Sequence, residues 1–114
     1  MHRNEIYLAD LNNCTGYEQY GIRPVLIVQN DRGNTHSPTT IICPLTSQQK
    51  PTMDTHVALA PSDCGIVKNS TVLCEQIRVI DKNRIKRKLG EITNCEKLKD
   101  INAKLLIALG LPLK

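Results

Sequence analysis

The hydrophobic period of this chain changes once, at Asn94, and that change constrains the fold more than any other feature. Before it, apolar residues come in short runs: EIYLADL (5–11), RPVLIVQ (23–29), TTIICPLT (39–46), THVALA (55–60) and STVLCEQIRVID (70–81). Runs rich in Val, Ile and Thr, bounded by Asn, Asp, Gly and Pro, read as strands. After it, Leu98, Ile101, Leu105, Ala108 and Leu109 recur at helical spacing with charged residues between them. Asn94 suits the N-cap, Glu96 suits the first turn, and Gly110 with Pro112 ends the helix. Residues 1–114 thus read as one domain, mainly β with a C-terminal helix: a small antiparallel barrel or curled sheet capped by that helix.

Local features refine the expectation. NDRGN (30–34) is turn chemistry, and SQQKPTMD and PSDCGIVKN read as loop and turn. Residues 70–81 read as one long strand, with Val72, Cys74, Gln76, Arg78 and Ile80 on one face and Thr71, Leu73, Glu75, Ile77 and Val79 on the other. Pro44 cannot donate to a ladder, so residues 39–46 are expected at a sheet edge or bulged there. A basic stretch, KNRIKRK, is followed by a short strand around Leu89 to Thr93.

Composition removes whole function classes. There is no Phe and no Trp, and the aromatics are Tyr7, Tyr17 and Tyr20. The core must be aliphatic, and binding modes built on several stacking side chains are disfavoured. No apolar run approaches the roughly 20 residues of a membrane span, and the first residues lack a signal peptide's apolar stretch. Cysteines at 14, 43, 64, 74 and 95 show no CxxC and no metal-ligand spacing. They read as reduced core thiols of a cytoplasmic protein, with no metal and no cofactor expected. The net charge of +4 fits an anionic partner.

No histidine has a motif around it, and no HExxH, GxSxG or GxxxxGK[ST] pattern occurs. What stands out is polar residues set into apolar strands: Arg23 held extended by Pro24, Thr46 ending its strand, and Glu75, Gln76 and Arg78 interrupting theirs. The run Lys82, Arg84, Lys86, Arg87 and Lys88 reads as a solvated turn and strand edge rather than a nucleic-acid track.

In order and spacing, RNEIYLADL (3–11), YEQYGIRPVLIVQND (17–31), TTIICPLTS (39–47), THVAL and VLCEQIRVID resemble the successive blocks of the MazF/PemK toxins, the endoribonuclease halves of toxin–antitoxin pairs. The resemblance covers nearly the whole chain. It implies an SH3-like curled antiparallel barrel of the MazF/PemK/CcdB toxin type, assembled as a homodimer. It implies metal-independent, sequence-specific cleavage of single-stranded RNA, and a cognate antitoxin that blocks the RNA groove. The family's catalytic arginine and threonine match Arg23 and Thr46. The groove-bordering loop matches Tyr17, Glu18, Gln19 and Tyr20, and the E-Q-I-R block supplies Gln76 and Arg78; Arg3 is a further phosphate-contact candidate. Two departures are Arg3-Asn4-Glu5 where the family reads R-G-D, and two tyrosines where S-E-Q-G-G has small residues.

The chemistry agrees with the residue types. The 2′-hydroxyl of RNA can attack the adjacent phosphate in line, leaving a 2′,3′-cyclic phosphate and a 5′-hydroxyl. A guanidinium forks onto two phosphoryl oxygens, and a threonine hydroxyl can donate to the phosphate or the leaving oxygen. An arginine is a poor proton acceptor, so the general base stays open at this level. The alternative expectation is a non-enzymatic toxin of the same fold that poisons DNA gyrase, because fold does not dictate activity.

Overall fold

The computed structural model describes residues 1–12, 16, 18–47 and 53–112. Among the described residues seven strands form a curled antiparallel sheet: β1 (Glu5–Asp10), β2 (Ile22–Ile27), β3 (Thr39–Thr46), β4 (His56–Leu59), β5 (Ser70–Leu73), β6 (Arg78–Asp81) and β7 (Ile85–Glu91). The order is β4-β5-β3-β2-β1-β7, with β6 also pairing β3. Among the described residues the α-helices are α1 (Asp31–His36), α2 (Pro61–Cys64) and α3 (Cys95–Leu109). The expected mainly-β fold with a closing helix is what forms.

Alternation along β2 explains why the sheet has two apolar faces. Leu26 and Val28 point into a cluster with Ile6, Leu45 and Val72, onto which α3 lays Ile101 and Leu105. Val25 and Ile27 point the other way, to Ala9, Leu11, Ile42 and Ile80. A strand buried on both faces has to be apolar throughout, as residues 25–28 are. The core is aliphatic with thiols, and Cys43, Cys64 and Cys74 are buried and unpaired by disulfide. The hydrogen bond to Cys74, then burial, pushes ionisation of the Cys43 thiol far up, so it packs as a neutral hydrophobe. On α3 the apolar stripe is buried at Ile101 and Leu105, whereas Leu109 is exposed.

Three expectations are corrected. Residues 31–36 are a helix rather than a plain turn, because the Asn30 side chain accepts from the Gly33 N–H and caps it. Residues 70–81 are not one strand. From Leu45 opposite Val72 to Ile42 opposite Arg78, β3 advances three residues while its partner advances six. The excess of three is looped out as a 3₁₀ turn, Cys74–Gln76. The face-sharing expected along that strand therefore stops at Leu73. The same break answers the Pro44 question. β3 is central rather than an edge, but Cys43 and Pro44 lie where its neighbour changes from β6 to β5, and among the described residues neither has a register partner on that side. Ladder bonds are not asked of Pro44 there.

The last strand starts earlier than expected. A second 3₁₀ turn, Lys82–Arg84, leads directly into β7, so the basic run becomes the sheet's edge. Charge along an edge strand discourages pairing with another chain. Gly90 sits in β7 where a Cβ would collide with the carbonyl oxygen of Cys64, so α2 can cross this strand only over a glycine.

Candidate active site

Arg23 and Thr46 come together through strand register. Leu26 faces Cys43 and Val25 faces Pro44 across β2 and β3. The paired stretch ends at Val25 and Pro44, and Arg23 and Thr46 each lie two residues beyond it on the same side. Both line one cavity of about 390 Å³ at this end of the sheet. Its apolar walls include Ile22, Pro24, Ile66 and Leu89, and Lys68 and Ser70 add polar groups. Thr46 is only 4% exposed and ends β3.

The Arg23 guanidinium is aimed by the β1–β2 connection. Leu11 N–H donates to Gly21 O and Gly21 N–H to Asn12 O, both at 2.9 Å, which closes the loop. From it, Tyr20 O accepts the Arg23 Nε–H at 2.8 Å, and the Gln19 side-chain oxygen accepts from Nη1. Gln19 is fixed in turn, because its N–H donates to Gln76 Oε1 at 2.8 Å. Among the described residues Arg23 Nη2 donates to nothing. With one N–H of Nη1 also left over, the guanidinium keeps donors for an anion.

The remaining expected site residues fall into two groups. Glu18 is exposed on the same loop, and Tyr20 presents its ring to solvent at 57% exposure. Tyr17 lies outside the described residues. Arg78 opens β6 opposite Ile42, four residues from Thr46 along β3, or roughly 13 Å. Arg3 is elsewhere. Its Nε–H donates to Val28 O at 2.9 Å and Nη2 to Asn102 Oδ1 at 3.1 Å, so it fastens α3 to the strands. The structure does not bring it to the Arg23 cavity.

Sequence reading missed Lys68 and Ser70, which reach the cavity because β5 pairs with β3 beside Thr46. Their local context, a turn followed by a strand start, carries no signal of that long-range pairing. It also missed the burial of His56. This side chain is 6% exposed and its Nε2–H donates to Glu75 Oε2 at 3.1 Å. Among the described residues no three His, Cys, Asp or Glu side chains cluster as metal ligands.

A curled antiparallel sheet with one C-terminal helix, carrying an arginine and a threonine at one cavity, defines a class of small β domains with a cationic side chain at the mouth of a cleft. Comparison with known proteins then places the chain. The model of the PemK-like, MazF-like toxins of type II toxin–antitoxin systems matches residues 2–109. The chain belongs to that family. It is 46% identical over 112 residues to the endoribonuclease MazF of Staphylococcus saprophyticus, spanning 97% of this chain and 92% of that protein. Among solved structures it resembles a mycobacterial endoribonuclease in complex with its cognate antitoxin, at 32% identity and TM-score 0.81, covering 100% of this chain and 99% of the other. MazF from Deinococcus radiodurans is similar at 26% identity and TM-score 0.81, with 97% of each chain covered.

Proposed function

We propose that this chain is the endoribonuclease toxin of a type II toxin–antitoxin pair and that it cuts single-stranded RNA at a short recognition sequence. The observation that carries this reading is the shared cavity of Arg23 and Thr46 in a member of the MazF-like family. The spare N–H groups of Arg23 bind the two non-bridging oxygens of the scissile phosphate. They stabilise the charge that grows there as the 2′-hydroxyl attacks. Thr46 donates to a phosphoryl oxygen or to the departing 5′-oxygen. The products are a 2′,3′-cyclic phosphate and a 5′-hydroxyl. Lys68, on the same wall, adds positive potential for the neighbouring phosphate.

The β1–β2 loop reads bases. Glu18 offers a carboxylate, and Tyr20 offers a face on which one base can stack. Arg3 has no part in this site. Inhibition of translation and growth follows from cutting mRNA in the cytoplasm. The working form is a homodimer, and the antitoxin silences it by laying an acidic segment over the RNA groove. Among the described residues no helix is long and apolar enough to cross a membrane.

The test is to incubate purified protein with a long RNA in EDTA, map the cut sites, and identify the end groups. Cuts at one short sequence with cyclic phosphate ends, lost in Arg23→Ala and Thr46→Ala, support the reading. Uncut RNA together with trapped DNA breaks in the presence of gyrase would replace it by the poison reading.

A further inference from the structure

The 3₁₀ turn Cys74–Gln76 is gripped from two sides, and one of the two grips leads on to Arg23. On one side stands the start of β4. Thr55 Oγ1–H donates to Glu75 Oε1 at 2.9 Å, His56 Nε2–H donates to Glu75 Oε2 at 3.1 Å, and Cys74 N–H donates to Thr55 O at 3.1 Å. Both carboxylate oxygens are therefore engaged, by the first residue of β4 and the residue before it. The carboxylate is the acceptor throughout: burial would raise its pKa, but the hydrogen bonds, that from His56 foremost and that from Thr55 with it, outweigh burial and hold the pKa below the usual range. On the other side, Gln76 Oε1 accepts the Gln19 N–H, and the Gln19 side chain accepts from Arg23.

A clamp of this form does more for direction than for stability. The desolvation of His56, 6% exposed, and Glu75, 28% exposed, offsets much of their attraction. Two partners on two oxygens nonetheless remove the rotation of Glu75, and the short turn transmits that to the next residue. We propose that Glu75, clamped by Thr55 and His56, is a positioning residue that sets the turn presenting Gln76 to the Gln19 amide and thereby aims the Arg23 guanidinium into the cavity. The inference rests on the reading of Arg23 as the phosphate-binding group. Catalysis is sensitive to displacements of about 1 Å, so a relay of two hydrogen bonds from the turn to Arg23 is enough to matter.

The experiment measures two things on the full-length protein. One is the exchange rate of the Gln19 amide by NMR. The other is kcat and KM on a short RNA carrying the mapped cut site. Glu75→Ala should speed Gln19 exchange at least tenfold and lower kcat about tenfold, with KM within twofold. Glu75→Gln, whose amide oxygen still accepts a hydrogen bond at this position, should recover most of both. In an Arg23→Ala background the Glu75→Ala change should cost no more than twofold, because the two act through one group.

Exchange and kcat within twofold of the parent in Glu75→Ala would overturn the inference. So would losses that multiply in the double variant, which would mean that Glu75 acts on RNA by itself. Should Glu75→Ala not fold, His56→Leu and Thr55→Val each remove half of the clamp and carry the same test. Should Arg23→Ala cleave normally, the reading of the site fails, while Gln19 exchange still decides whether Glu75 holds the loop.

Discussion

Two polar clusters of this protein hold an arginine next to a strand end, and they use it in opposite ways. At the N-terminal corner, Arg3 is spent on Val28 O, Asn4 and Asn102. Beside it Glu5, 8% exposed, takes Lys88 at 2.7 Å and the Tyr7 hydroxyl at 3.1 Å. Every charge there answers another group of the same fold. At the cavity, Arg23 is held along one edge by Tyr20 O and Gln19 and keeps donors toward open space opposite Thr46. An arginine whose hydrogen bonds are all internal fastens the chain, while one that is aimed but unfilled is built for a ligand.

The comparison breaks most decisively at the arginines. Arg23→Ala should reduce RNA cleavage by about 10²- to 10³-fold, the usual cost of losing a preorganised donor to a developing anion. Thermal unfolding should show this variant folded. Arg3→Ala should do the reverse, lowering stability by roughly 1–2 kcal/mol while cleavage per folded molecule stays level. Equal kinetic losses in the two variants would erase the distinction.

Thr46→Val keeps the shape of a buried strand residue and deletes the hydroxyl. It should slow cleavage by roughly 10- to 100-fold, as loss of a hydrogen bond to a charged group does, and single-turnover rates would show whether chemistry is the step affected.

The corner makes its own prediction in acid. Burial alone would raise the Glu5 pKa, but Lys88, the His2 N–H and the Tyr7 hydroxyl bring it from 4.5 down to about 2. A depressed carboxylate contributes stability that is complete above its unfolded value and lost as pH falls through the folded one. Unfolding free energy should therefore drop between about pH 4.5 and 2 by roughly 2–3 kcal/mol more in the parent than in Glu5→Gln. Parallel curves for the two proteins would show that the corner is not a charged fastener.

Tyr20→Ala should have the smallest effect, a few-fold in rate at most, because one stacked base contributes about 1 kcal/mol in a tolerant geometry. The informative readout is the distribution of cut sites. An unchanged distribution would assign base recognition to hydrogen bonding alone.

Much of this was legible in the chain. The short Val- and Ile-rich runs, the period change at Asn94 and the capping residues of α3 place the strands and the closing helix, because these signals are local and repeat at fixed spacing. Arg23 before Pro24 and Thr46 at the end of TTIICPLT could be singled out because polar residues in apolar strands are rare. The split of residues 70–81 could not be read. STVLCEQIRVID alternates well enough for one strand, and what breaks it is the need to pair β3 in two registers three residues apart. That Arg3 is used up inside the fold could not be read for the same kind of reason, since nothing near it in sequence shows that Asn102 will sit beside it.

By itself, then, the sequence indicated most of the strands, the closing helix, an aliphatic core and the pair of side chains suited to a phosphate. Tertiary structure alone decided which arginine faces the cavity, where the long strand loops out, and that His56 and Thr55 close on Glu75. Propensity and periodicity act over a few neighbouring residues, whereas register, burial and the partner of a charge depend on segments tens of residues apart.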